Sequence, residues 1–82
     1  MNRECTSKDD YLRALKELRH VPIVGEHNLG ELQVTVSGSC GWLLLQQSQG
    51  KWHRIGVGRS NPKELRDRVE RAVIKWLKAR FQ

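Results

Sequence analysis

The chain predicts an α+β fold of order α-β-β-β-α, a three-stranded antiparallel sheet with both helices packed on one face. Three patterns lead there. Tyr11, Ala14, Leu15 and Leu18 recur at helical spacing, and so do Leu65, Val69, Ala72, Val73, Trp76 and Ala79. Between them, Leu32, Val34 and Val36 alternate with Gln33, Thr35 and Ser37, the period of a half-buried strand. The loops that follow are too short for anything but antiparallel pairing.

The first helix is expected at about residues 7–20. Thr6 or Ser7 caps it, with Asp9 or Asp10 closing a capping box, and Pro22 stops it. Val21 to Gly30 reads as a connector punctuated by Pro22, Gly25, Asn28 and Gly30. A meander over residues 31–57 follows: a strand at 31–37, a Gly38–Gly41 turn, a strand at 42–47, a Ser48–Gly50 turn, and a strand at 51–57. Ser60 or Asn61 then caps a long helix over 61–81, with Pro62 in its first turn. All 82 residues form a single small domain.

Composition narrows the function. At 38% hydrophobic and 29% charged the chain is globular. Neither a membrane-length apolar run nor a signal-peptide pattern is present, which makes a cytoplasmic location with no membrane partner the expectation, and Cys5 and Cys40 free thiols. No Cys-x-x-Cys, His-x-x-x-His or nucleophile-elbow spacing occurs, so neither a metal, a cofactor nor an enzymatic activity is expected. The net charge of +6 is local: residues 1–50 hold five basic and six acidic side chains, residues 51–82 ten basic and three acidic. Such a terminal excess suits a polyanion.

Two surfaces can carry that contact. Arg68, Arg71, Lys75 and Lys78 fall on one ridge of the last helix, opposite its apolar stripe. They match phosphates along a duplex, or form an ordinary solvated face with Glu64–Arg68 and Glu70–Arg66 pairs. In the favoured facing of the sheet, Leu43, Leu45, Ile55 and Val57 point inward, while Gln33, Thr35, Trp42, Leu44, Gln46, Trp52 and Arg54 lie on the open face. Aromatics, amides and an arginine there are suited to base contact. In the other facing, Trp42 and Trp52 are simply core. Gly56-Val57-Gly58-Arg59 opens toward the last helix, where Arg59 and Lys63 flank a phosphate seat, unless the glycines only bend the chain.

From Leu32 onward the residues Leu32–Val36, Trp42–Leu45, Gly50-Lys51-Trp52, Ile55-Gly56-Val57-Gly58-Arg59, Pro62 and Lys63–Arg66 resemble the arm-type DNA-binding domain of phage integrases of the tyrosine-recombinase class. The resemblance implies a phage-related module whose sheet lies in the DNA major groove, contacted by Gln33, Thr35, Trp42, Leu44, Trp52 and Arg54. The first helix is not part of that pattern, and the α-β-β-β-α order is similar to double-stranded-RNA-binding domains, with Gly58-Arg59-Ser60, Lys63 and Arg66 as the phosphate grip. The expected function is therefore nucleic-acid binding, duplex DNA ahead of double-stranded RNA. A protein-protein module, such as a small phage-type inhibitor or adaptor, is the alternative.

Overall fold

A computed structural model describes residues 2–81. The elements run β1 (Asn2–Arg3), α1 (Lys8–Leu18), β2 (Gly25–Leu29), β3 (Leu32–Val36), β4 (Gly41–Ser48), β5 (Lys51–Arg59) and α2 (Leu65–Arg80). The strands form one sheet in sequence order, parallel between β1 and β2 and antiparallel elsewhere. The fold is α+β, and the three expected strands are its last three. Two more strands extend the sheet where a terminus and a connector were expected. In β2 the buried positions are His27 and Leu29, alternating with Glu26 and Asn28. A histidine occupies a core position there, held through its Nε2 against the Ile23 carbonyl at 2.8 Å, so apolar alternation alone does not reveal the strand.

Helix α1 begins where its cap dictates. The Ser7 hydroxyl accepts from the Asp10 backbone N–H, and the Asp10 carboxylate accepts from the Ser7 N–H, which satisfies two of the donors a helix start leaves free. Tyr11, Ala14, Leu15 and Leu18 are its buried residues. At its far end Arg66 of α2 donates from both terminal nitrogens, one to the Leu18 carbonyl and one to the Val21 carbonyl. Helix α2 starts later than expected. Asn61–Glu64 forms a turn in which the Asn61 side chain accepts from the Glu64 N–H, and the helix takes over at Leu65. Leu65, Val69, Val73 and Leu77 are buried one turn apart, facing Val34, Val36 and Leu44 in one core cluster.

Where α1 meets the end of α2, Tyr11 stands edge-on to Trp76 at 5.2 Å and 5.9 Å from Phe81, an arrangement that adds to the area these rings bury. The Tyr11 hydroxyl accepts from the Glu31 N–H in the turn between β2 and β3. Gly30 in that turn has φ +58°, and a Cβ there would lie 2.5 Å from the Tyr11 oxygen. Arg19 and Glu70 join the two helices through paired contacts of 2.8 and 3.0 Å. Among the described residues no helix is long and apolar enough to cross a membrane.

Candidate nucleic-acid interface

Both helices cover one face of the sheet and leave the other bare. Which side chains populate the bare face depends on the turns. Ser37 donates its N–H to the Gly41 carbonyl, so three residues, Gly38-Ser39-Cys40, form the loop between β3 and β4. Cys40 closes it in the left-handed region at φ 65°, a place more often taken by glycine. The sequence pattern alone predicts a four-residue turn, Gly38–Gly41. One residue fewer shifts the register by one and moves every β4 side chain to the opposite face. Trp42 therefore pairs with Val36, and Leu44 with Val34.

This corrects the expected open face. Leu44 is buried at 1% exposure and Trp42 packs against the core on the helix side, while Leu43 and Leu45 share the bare side with Thr35 and Gln33. The two glycines of β5 follow from that placement. A Cβ on Gly58 would stand 2.9 Å from three atoms of the Trp42 indole, and one on Gly56 would stand 3.2 Å from the same ring. The Gly-x-Gly sequence thus gives the tryptophan a flat strip of backbone to lie on. Trp42 leaves the list of outward contacts.

A second irregularity restores part of the expectation. The Gln49-Gly50 turn, with φ of 52° and 76°, joins β4 to β5, and the pairing runs from Ser48 opposite Lys51 until a bulge at Ile55. Below the bulge, Trp52 and Arg54 lie on the bare face beside Gln47 and Leu45. Above it, Val57 and Arg59 lie on that same face beside Leu43 and Gly41. Without the bulge the upper half would point the other way. Val57, expected inward, is 60% exposed, and Ile55 turns to the helix side, where it lines a groove with Ala72 and Trp76.

The bare face thus gathers Gln33, Thr35, Trp52, Arg54 and Arg59, with Leu43, Leu45 and Val57 among them. Trp52 is 44% exposed. A shallow depression of about 320 Å3 opens between Thr35, Leu43, Val57 and Arg59. Gln33 is held by its neighbours, donating to Glu26 at 2.9 Å and to Asn28 at 3.2 Å, and Asn28 donates on to Asn2. The three apolar residues were missed, and the signal for them was present: glycines at 56 and 58 mark the strand opposite a large inward ring.

The other predicted residues lie elsewhere. Arg68, Arg71, Lys75 and Lys78 are exposed on the outer side of α2, the far side of the molecule from the bare sheet. Two of them are engaged, Arg68 with Glu64 at 3.5 Å and Arg71 with Asp67 at 3.0 Å. The expected Glu70–Arg66 pair gives way to Glu70–Arg19 and to Arg66 on backbone carbonyls. Lys63 is exposed in the turn before α2, near Arg59 in sequence. Cys5 and Cys40 are free thiols, and no group of three or more metal-ligating side chains is placed to hold an ion among the described residues. The chain was compared with known protein families, curated proteins and solved structures, and none matches.

Proposed function

We propose that this domain binds nucleic acid, duplex DNA ahead of double-stranded RNA, through the uncovered face of its sheet, in a cytoplasmic setting and without catalysis. The observation that carries the reading is the grouping of Trp52, Arg54 and Arg59 along β5, beside Gln33 and Thr35, on a face that neither helix covers. Arginine can engage a guanine edge or a phosphate, glutamine an adenine edge, and apolar side chains such as Leu43 and Val57 a thymine methyl. Strands β3 to β5 span about 10 Å between their outer axes at about 4.8 Å per step, which suits a major groove about 12 Å wide. The strand-strand-strand-helix order of β3, β4, β5 and α2 accords with the integrase-type resemblance, while Trp42 and Leu44 drop out of the contact set that it implied.

Double-stranded RNA ranks second for a specific reason. Its phosphate grip would use Arg66, whose guanidinium is already committed to the Leu18 and Val21 carbonyls. The test is the affinity of Trp52→Ala and Arg54→Ala for a labelled DNA duplex, with melting curves in parallel. Arg54→Ala should cost about 1–3 kcal/mol of binding and relax the preference at one base pair. Both side chains are exposed, so the melting temperature should hardly move. Full affinity in both folded variants removes the sheet as the binding face.

A further inference from the structure

Beside the bare face, a second feature of β5 has no place in nucleic-acid binding. Strand β5 ends the sheet and pairs with β4 alone among the described residues, which leaves one row of its backbone N–H and C=O groups without a strand partner. The opposite edge, β1, is two residues long, whereas β5 has nine. Three of the four large hydrophobic residues exposed among the described ones, Trp52, Ile55 and Val57, belong to β5. On the helix side, Ile55 at 40% exposure forms a groove of about 220 Å3 with Ala72, Trp76, Ala79 and Lys75. An exposed apolar edge of this kind invites another strand.

Charge identifies which strand. Residues 32–63 contain no aspartate or glutamate, and neither do residues 71–82. Lys51 and Arg54 on β5 and Lys75 on α2 therefore surround the edge with cations. A second copy would bring the same cations against them, and like charges on facing strands repel. A nucleic-acid backbone has no alternating N–H and C=O groups to extend a sheet, and its hydrated phosphates do not fill an apolar groove. We propose that the Lys51–Ile55 half of β5 accepts an extended acidic segment of a partner protein as a sixth strand, with one apolar side chain of that segment seated in the groove between Ile55 and Trp76. The bulge at Ile55 bends the strand and sets the upper limit of pairing. Main-chain hydrogen bonds would supply affinity and the groove selectivity, the usual division in strand addition.

The groove is on the helix side and is separate from the bare face, although Arg54 borders both surfaces. The probe is a fluorescein-labelled heptapeptide alternating glutamate with leucine or phenylalanine, read by anisotropy, with hydrogen exchange of β5 followed on the same sample. Binding should slow exchange of amides in the Lys51–Ile55 segment. A peptide of equal charge with proline at its centre cannot pair as a strand and should bind at least about tenfold more weakly. Ala79→Glu, at an exposed helix position, should weaken the heptapeptide by a similar factor and leave duplex DNA affinity unchanged. Equal binding of the proline peptide, no binding at millimolar concentration, or displacement by single-stranded DNA with the same amides protected would each overturn the proposal.

Discussion

At the scale of single residues, the contact between Trp42 and Gly58 accommodates the facing that the turns impose on the sheet. A tryptophan on the helix side of β4 requires a strand neighbour without a side chain, and Gly58 is the residue paired with it. Alanine at 58 would bring a methyl group to 2.9 Å from a rigid ring at three atoms, too close for either group to yield by rotation. Gly58→Ala should therefore destabilise by about 1–3 kcal/mol, the usual range for overpacking, although replacing glycine within a strand ordinarily helps. Trp42→Ala alone should cost about 2–4 kcal/mol. Combined with Trp42→Ala, the alanine at 58 should cost nothing more, since its obstacle is gone. Urea denaturation of the two single variants and the double measures this coupling. Additive costs would mean that the indole does not lie over β5.

At the scale of elements, the helices are secured by a few side chains that reach beyond their own turn. Arg66 ties α2 to the Leu18 carbonyl at the end of α1 and to the Val21 carbonyl in the segment that follows it. Arg66→Ala should cost about 2 kcal/mol, in the range of hydrogen bonds from a charged donor, and Arg66→Lys should recover less than half, since an ammonium lacks the fork that spans two acceptors. Chemical denaturation reads both. At the other end of α1, the Asp10 carboxyl is held below its ordinary 3.8, chiefly by the Thr6 N–H, then by the Thr6 hydroxyl and by Ser7. A depressed folded value means the contribution is in place above about pH 4 and fades as the pH falls through that lower value. Asp10→Asn should flatten the acid limb of a plot of melting temperature against pH, and an unchanged limb would place the acid sensitivity elsewhere. Both helices were legible in the sequence because each has a stripe one turn apart, and α1 a cap and a stop as well; the start of α2 was not, since neither Ser60 nor Asn61 caps it and Glu64 stands at its N-cap without a side-chain bond. Strand β2 was not, since histidine holds one of its two buried positions and glycines flank it. The sheet facing was not legible either, because it depends on whether Gly41 belongs to the turn or to β4, and Cys40 supplies the left-handed residue that a glycine would have advertised.

At the scale of the whole molecule, two layers separate the positive charge into two fields. Arg54 and Arg59 occupy the bare sheet, with Lys63 exposed in the turn beyond, whereas Lys75 and Lys78 crown the opposite layer. The sequence shows that the charge is gathered in residues 51–82, yet a count along the chain does not reveal that the strand and the helix present it in opposite directions. Trp52 and Arg54 share strand parity, and the cost of burying an arginine put both on the open side with Gln33, while Leu43 and Val57 could not be placed there, because the turn length and the bulge invert them. One rigid duplex cannot lie on both layers, so the number of phosphates neutralised should be near three rather than near six. The logarithm of affinity against the logarithm of salt concentration should then slope by about −2.7, at about 0.9 per phosphate. Replacing Arg54 and Arg59 together by alanine should reduce the slope to about −0.9, while reversing Arg71 and Lys75 to glutamate should leave it nearly unchanged beyond a small long-range loss at low salt. Titrations at several salt concentrations with one duplex distinguish these cases. A slope near −5, or a loss on reversing Arg71 and Lys75 as large as that on removing Arg54 and Arg59, would move the nucleic acid to the helical layer and leave the bare sheet to another partner.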